Sequence, residues 1–324
     1  MKKLSVVLAL LGLTLATALV GSFGFGNVTG AVGRAGWSGF ALICFWQLVI
    51  FVPLGLAWDQ IARARDIRRP LLFTWGRMVR DASANCLPFS QVGGFFFGAR
   101  AVMLHGLSWP VATATTIVDV TAEFLAELAF VGVGLSILIA RVPAATHAAM
   151  PIEIGLGLAI VGVIVFVWLQ RGAAPLFARI AERIAGRRVG AARAGLAALH
   201  TEMTALYRQP GRLFGSFALH LLGWLASGVA TYIAYRVLGV PIDFDDALAI
   251  EALLSGIAAA AFLVPVNAGI QEASYAGLGA LFGIPVELSL AVSLIRRARD
   301  VAVGIPILLA WQVLEVRRLR AAHG

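Results

Sequence analysis

Residues 87–124 read LPFSQVGGFFFGARAVMLHGLSWPVATATTIVDVTAEF, and residues 264–301 read VPVNAGIQEASYAGLGALFGIPVELSLAVSLIRRARDV. The two stretches align without a gap, so that Pro88 falls on Pro265 and Gly106 on Gly283, 177 residues further along. One pattern written twice in a chain indicates an internal repeat. Repeats that enter a membrane in opposite directions and contain broken helices are a recurring build of transporters.

The composition is that of a membrane protein. The chain has 324 residues, of which 60% are hydrophobic and 13% charged, with a mean hydropathy of +0.88. These values exclude a disordered chain and argue against a soluble domain. Apolar runs long enough to cross a bilayer predict six spans, at 4–22, 36–58, 110–140, 151–170, 213–238 and 287–312. The first also resembles a secretory signal peptide, but we interpret it as a retained span.

The positive charge predicts the orientation of the chain. The net charge is +9, and most of the basic residues lie in three places: six arginines in residues 59–80, eight in 171–212, and three in the C-terminal tail. The alternate loops are poor in arginine. Under the positive-inside rule, both termini are cytoplasmic. No base-reading motif accompanies the charge, so the sequence predicts no nucleic-acid partner.

Two stretches, 70–107 and 247–283, are long enough for two arms each but must return to the side from which they start. Each has proline between its arms, so each is a re-entrant hairpin or two short spans. The predicted fold is an all-α polytopic membrane protein with two inverted-topology repeats, each with three spans and a Pro-broken re-entrant hairpin. The chain is one integral membrane domain, 1–324, with repeat one at about 1–140 and repeat two at about 151–312.

The arginine-rich segment 171–212 lies inside the second repeat. Its pattern is typical of an amphipathic cytoplasmic helix, which either rests on anionic head groups or is simply solvated.

Charged residues inside predicted spans mark the candidate site. Asp119, Glu123 and Glu127 follow at four-residue spacing, which places them on one face of a helix. The last span carries Arg296, Arg297, Arg299 and Asp300 within an apolar run. Charges at this depth are costly and need partners or water. Because Asp119 aligns with Arg296, we expect the acids of one repeat to meet the arginines of the other.

This cluster has three interpretations, which do not exclude one another. It is a structural network that holds the halves together, a substrate site in which an arginine binds an anionic head group, or a proton path through Asp119, Glu123 and Glu127.

The hairpin tips carry the other candidate groups. Breaks at Pro88 and Pro265 free backbone groups that protein, water or ligand must satisfy, and half-helix N-termini favour anions. Polar and small residues follow these breaks, and the candidate substrate-binding residues there are Gln91, Gly94, Arg100, Asn267, Gln271 and Glu272.

The sequence contains no P-loop, GxSxG or HExxH motif and no dinucleotide fingerprint between a strand and a helix. Its five histidines and two cysteines lack ligand spacing. We therefore predict no catalytic residue, no cofactor and no metal site.

The two proline–glycine blocks resemble those of the lysylphosphatidylglycerol synthase transmembrane family. The resemblance rests on LPFSQVGG…GAR with HGLS, and on VPVNAGIQEASYAGLGALFGIP with SLIRRARD, and it is greatest to the HpnL branch, which is associated with hopanoid biosynthesis. It implies a bacterial inner-membrane protein with re-entrant helices that moves lipid between leaflets. It also places Glu272 at the glutamate of the second motif, whereas Phe95 stands where the first motif often has an acid.

The expected function is that of a non-enzymatic lipid translocase or lipid-transport protein, whose substrate is a hopanoid or an anionic phospholipid. Two alternatives remain open. One is an intramembrane enzyme acting on a lipid head group, and the other is a non-transporting scaffold that binds lipid-synthesis enzymes.

Overall fold

The computed structural model describes residues 25–87, 90–142, 157, 190–260 and 269–321, and within these ranges the regular structure is entirely helical. Nine α-helices are assigned there. In chain order they are α1 Phe25–Ala62, α2 Pro70–Cys86, α3 Ser90–Met103, α4 Trp109–Arg141, α5 Gly190–Tyr207, α6 Pro210–Val237, α7 Phe244–Ala260, α8 Ile270–Leu281 and α9 Val286–Ala321.

Three of the predicted spans are confirmed as helices long and apolar enough to cross a membrane. They are Gly33–Arg65, Trp109–Arg141 and Pro210–Val237, which contain the predicted 36–58, 110–140 and nearly all of 213–238. The predicted spans 4–22 and 151–170 lie outside the described residues. The predicted 287–312 lies within α9, which is long enough but does not meet the same apolar criterion, because its centre carries four charged residues.

Helix α1 extends beyond the predicted second span at its N-terminal end. Helix α1 begins at Phe25 rather than near residue 36, and a non-helical Gly36 (φ 72°, ψ 155°) separates its first turns from the rest. Glycine adopts a positive φ at little energetic cost because it has no Cβ. The glycine-rich sequence before this point, including Arg34, is helical as well.

Helices α2 and α3 form an antiparallel hairpin. The Cα of Gly94 lies against the α2 backbone, so that a side chain there would come within 2.7 Å of the carbonyl oxygen of Arg80. Gly98, one turn later in α3, lies against the carbonyl of Gly76, one turn earlier in α2. The outer ends meet where Arg69 donates to the carbonyl oxygen of His105 at 2.9 Å. The turn between the arms contains Pro88, outside the described residues.

Helices α1 and α6 also run antiparallel, along most of their length. Trp46 donates its indole N–H to the carbonyl oxygen of Ala226 at 2.8 Å. Further along α1 and earlier in α6, Gly215 lies against Gln60. These helices occupy equivalent positions in the two halves of the chain.

The remaining packing is reciprocal. Helix α2 of the first half packs on α9 of the second, where Gly304 faces Cys86 at 2.6 Å from the position of an added Cβ. Helix α7 of the second half packs on α4 of the first, where Gly134 faces Ala252. Each hairpin thus contacts the long helix of the other half, and helix boundaries recur at the same separation, since α4 starts at Trp109 and α9 at Val286.

The described part of the arginine-rich segment is helical and packs against the other helices. Helix α5 spans Gly190–Tyr207, and α6 already begins at Pro210. The apolar face of α5, including Met203 and Leu206, packs with residues of α1 and α4 in one core cluster. This helix therefore covers the ends of α1 and α4, and only its other face is free to meet solvent or head groups.

Loops that are predicted to lie on the same side of the membrane are found together, one set at each end of the molecule. At the arginine-rich end, Arg65 bonds Glu202 of α5 at 2.7 Å, close to the Arg69–His105 contact. At the acidic end, Arg141 bonds Asp243 at 3.3 Å and Asp245 at 3.2 Å.

Candidate functional site

A cavity of about 710 Å³ lies where the two halves meet. Residues from eight of the nine helices line it, all except α5, and most of the lining surface is apolar. Four arginines and four carboxylates also face it, contributed by α2, α4 and α9; they are Arg77, Arg80, Asp81, Glu123, Glu127, Arg296, Arg299 and Asp300. The volume is in the range of small-molecule sites, which are mostly apolar with a few polar groups.

Two arginines of α2 bind two acids of α4 on the first wall; we call this group the α2–α4 cluster. Arg77 donates to Glu123 at 2.6 Å, and Arg80 bonds both Glu123 and Asp119, the latter at 3.1 Å. All four side chains are almost completely buried. Because Arg77 and Arg80 are one turn apart, as are Asp119 and Glu123, the two rows can meet side by side.

His220 of α6 completes this cluster. Its Nε2 lies 2.9 Å from a carboxylate oxygen of Asp119, and both side chains have no solvent exposure. Asp119 therefore ties α2, α4 and α6 together through Arg80 and His220. Ligand atoms of Asp119, Glu123 and His220 lie within 4.8 Å of one another, but Arg77 and Arg80 already hold the two carboxylates, so this arrangement serves guanidinium groups rather than a metal ion.

A second group, the α7–α9 cluster, reaches the cavity through Arg296. Glu251 of α7 is fully buried and accepts hydrogen bonds from Arg296 of α9 at 2.5 Å and from Thr231 of α6 at 2.7 Å. Tyr275 of α8 adds its hydroxyl to the same carboxylate at 3.3 Å and accepts from Arg296 at 3.0 Å. One carboxylate thus joins four helices.

The predicted pairing of acids from one half with arginines from the other is wrong. Asp119 and Glu123 bind Arg80 and Arg77, and Arg296 binds Glu251, so each half neutralises its own long helix. The reason is that the first hairpin arm of each half carries the charge opposite to that of the long helix. Both clusters nevertheless contribute side chains to one cavity, so the sequence did predict that α4 and α9 bring charge to it, although it did not predict the charges of α2.

The same contacts correct the loop assignment of two arginines. Arg77 and Arg80 were counted among the cytoplasmic loop charges of residues 59–80, but they lie inside α2 and are about 5% exposed. They therefore carry no information on membrane orientation.

Two predicted residues of α8 bind α9. Glu272 accepts from Arg297 at 3.0 Å, and its other oxygen accepts from the N–H of Gly269 at the start of α8. Gln271 donates to the hydroxyl of Ser293 at 3.0 Å and also lines the cavity. These bonds fix the second hairpin arm to the long helix.

Arg296 and Arg299 keep donor groups free toward the cavity. Arg296 uses one terminal nitrogen for both of its bonds and is about a quarter exposed; its Nε and Nη2 have no partner among the described residues. Among the residues that the structure describes, Arg299 binds only its neighbour Asp300, through Nε and Nη2 at 3.1 and 2.7 Å. Three residues apart on α9, these guanidinium groups share a face and can bind one anion together.

The other predicted residues take different positions. Glu127 lines the cavity and has no hydrogen-bond or ion-pair partner in the described ranges. Arg100 lies away from the cavity and bonds Glu315 at 2.6 Å. Gly94 permits the close approach of α3 to α2. Pro88, Pro265 and Asn267 lie outside the described residues, as does the side chain of Gln91.

Sequence reasoning missed six residues of the two clusters, namely Arg77, Arg80, His220, Thr231, Glu251 and Tyr275. A signal existed for Glu251, because it is a lone acid in the apolar run LAIEALLSGIAAA. Arg77 and Arg80 were obscured by the true loop arginines just before them. Threonine and tyrosine hydroxyls are too common in apolar helices to be singled out without coordinates.

Comparison with known proteins identifies the family. The chain matches the family described as the lysylphosphatidylglycerol synthase TM region over residues 4–307. No curated protein matches the chain, and no solved structure matches it. Since the match covers nearly the whole chain, the protein belongs to the lysylphosphatidylglycerol synthase TM region family, whose members are lipid-related membrane proteins.

Proposed function

We propose that this protein moves a lipid between the leaflets of a bacterial inner membrane, without covalent chemistry, and that its substrate is a hopanoid or an anionic phospholipid. The observation that carries the proposal is the cavity between the halves, where guanidinium donors of Arg296 and Arg299 face an otherwise mostly apolar space. The family match supports a role in lipid biology.

Two inverted-topology repeats with re-entrant hairpins provide the mechanism. The antiparallel crossing of α1 and α6 and the reciprocal packing of α2 on α9 and of α7 on α4 support this arrangement. In such repeats the site lies near the bilayer midplane, and rocking of one half against the other exposes it to each side in turn. The lipid head group enters the cavity, and the apolar lining accepts the first part of its chains.

The arginines hold the head group by displaceable interactions. Arg296 and Arg299 are each compensated by a carboxylate, Glu251 and Asp300 respectively, so an entering phosphate is held by hydrogen bonds and not by an uncompensated positive charge. It accepts hydrogen bonds from the free N–H groups of Arg296 and Arg299, and charge-assisted bonds of this kind are the strong ones. Because the arginines keep their carboxylate partners, the site can release the anion again on the other side.

We further propose that both termini lie in the cytoplasm. The arginine-rich end contains Arg65, Arg69 and helix α5, and the acidic end contains Asp243 and Asp245. The positive-inside rule then assigns the arginine-rich end to the cytoplasm, even after Arg77 and Arg80 are removed from the count.

A flipping assay with the variants R296Q and R299Q tests the proposal. Purified protein is placed in liposomes, and transfer of a fluorescent anionic phospholipid between leaflets is followed by quenching from outside. We expect each variant to lose at least about tenfold in rate, the effect of removing a charge-assisted hydrogen bond. The matched control is R317Q, an exposed arginine of α9 outside the cavity, which should retain the rate.

Because R296Q leaves Glu251 without its partner, the double variant E251Q/R296Q is measured as well. It removes both charges and keeps the site neutral, so its fold can be verified by thermal stability in detergent. Wild-type flipping by a folded double variant and by R299Q would refute the proposed site. Product formation from lipid by the purified protein would favour an enzyme, and stable co-purification with lipid-synthesis enzymes without flux would favour a scaffold.

A further inference from the structure

The acidic end of the molecule is held by one arginine and three carboxylates. Arg141, the last residue of α4, lies 3.3 Å from Asp243, 3.2 Å from Asp245 and 3.9 Å from Asp246. These contacts cross between the halves, from the long helix of the first to the start of the hairpin of the second. All but Asp246 are well exposed, so these bonds can open without burying a charge.

The internal repeat gives these residues counterparts at the other end. At the repeat separation of 177 residues, Arg318 is the counterpart of Arg141, and Asp66 is the counterpart of Asp243. The register holds in the packing as well as in the sequence. Val131 contacts Gly256 where α4 meets α7, and their counterparts, Leu308 and Val79, belong to one core cluster where α9 meets α2.

The counterpart residues are not bonded to each other. Asp66 and Arg318 are both exposed, and neither forms an ion pair with any residue that the structure describes. They lie at the same end, because Asp66 is close in sequence to the Arg69–His105 contact while α9 reaches that end through the Arg100–Glu315 ion pair. One ion pair of an equivalent set is therefore formed and the other is open.

We propose that Arg141–Asp243 and Asp66–Arg318 are alternating ion pairs, each closing one end of the cavity in one of the two states of the transport cycle. This inference rests on the proposed function, since it assumes that the halves rock. When inverted halves exchange conformations, contacts present at one end are rebuilt at the other from equivalent residues. The observed asymmetry is what one state of such a cycle looks like.

The electrostatic attraction is stronger at the acidic end than at the arginine-rich end, which explains why the acidic end is the closed one. Around Arg141 there are three carboxylates, whereas Arg318 would meet only Asp66. The counterparts of Asp245 and Asp246 are Arg68 and Arg69, which repel Arg318. Charge therefore biases the equilibrium toward closure of the acidic end. The Arg100–Glu315 pair has Gly277 and Leu138 as counterparts, so it is not part of the exchange.

Distances between spin labels at both ends test the proposal in lipid nanodiscs. The background is C44A/C86A, which removes the native thiols. One label pair, A140C with P241C, reports on the acidic end, and the other, L71C with V313C, reports on the arginine-rich end. Double electron–electron resonance then gives the population of short and long distances for each pair without a lipid-transport measurement.

Two variants, one at each end of the molecule, both favour opening of the acidic end over its closure. D243N/D245N weakens the closed ion pair, and R68D supplies the missing acid at the counterpart of Asp245. For each we expect the ratio of long to short distances at 140–241 to rise by roughly threefold to tenfold, the scale expected for exposed ion pairs. The same variants should shorten 71–313. The control R34Q changes an exposed arginine of α1 and should leave both distributions unchanged.

A change at 140–241 without the reciprocal change at 71–313 would overturn the proposal, and so would the absence of any response to either variant. Failure of the proposed function is separable from this result. If the two ends exchange but the protein flips no lipid, the alternating ion pairs stand and translocation is refuted. If lipid flips while the ends do not exchange, translocation stands and the ion pairs play no part in it.

Discussion

At the scale of single residues, the charged side chains of the predicted spans, apart from Glu127, are satisfied by short-range pairing within each half. Arg80 and Asp119, like Glu251 and Arg296, are buried ion pairs supported by further hydrogen bonds. A buried pair costs much to desolvate and can contribute little net stability, but removal of one partner leaves an uncompensated charge. Loss of one residue of such a pair therefore lowers the stability of the fold more than loss of both.

The variant R80Q tests this requirement. It leaves Asp119 with only His220 and removes one of the two guanidinium groups bound to Glu123, so we expect a loss of about 3–5 kcal/mol in stability. The double variant R80Q/D119N should recover a substantial part of that loss because both partners of the buried ion pair are then neutral. Thermal unfolding in detergent measures both, with the exposed R317Q as control. A loss in the double variant as large as in R80Q would contradict the pairing.

At the scale of helices, a turn that contains a glycine at positive φ connects each hairpin to its long helix. Gly106 has φ 96° and Gly283 has φ 73°, and they stand 177 residues apart before α4 and α9. An added Cβ would have open space at both positions, so the backbone conformation alone requires glycine there. The same turn is thus used twice, once in each half.

The variants G106A and G283A should each lower stability by about 1–2 kcal/mol, the cost of placing a Cβ in a left-handed conformation. The matched control is G277A in α8, where the space is also open but the φ angle is not positive; it should be neutral or slightly stabilising, because alanine favours helix over glycine. Equal effects of all three substitutions on the unfolding temperature would show that the turn conformation is not the cause.

At the scale of the whole molecule, ion pairs at opposite ends group the loops into two sets. Arg65–Glu202 lies at one end and Arg141–Asp243 at the other. Helix α1 runs between these ends, and α6 runs back beside it. This grouping agrees with the two sides expected from the distribution of arginine.

Single cysteines at both ends test the proposed orientation in the C44A/C86A background. We expect D66C and R318C to react with a membrane-impermeant maleimide only after permeabilisation, and P241C to react in intact spheroplasts. The reason is that only the end poor in arginine is proposed to face outward. Reaction of all three from the same side would contradict both the orientation and the separation of the two ends.

The sequence alone determined that the chain is a helical membrane protein, where three of its long apolar helices lie, and its family, whereas the inverted repeat stays a prediction. These follow from properties that reside in the chain itself: hydropathy over some twenty residues, proline and glycine at fixed spacing, and a motif written twice. It also placed Glu123, Glu127, Arg296, Arg299 and Asp300 correctly on helices that meet at one place.

Only the tertiary structure decided which charges pair. Arg77 and Arg80 look like loop arginines until α2 is folded against α4, and Glu251 is one acid in an apolar helix until Arg296 reaches it. An ion pair depends on the distance between two side chains, and residues about 40 positions apart can be joined by many different helix packings. The sequence states that each buried charge needs a partner, but the partner is chosen by the packing that brings it within about 3 Å.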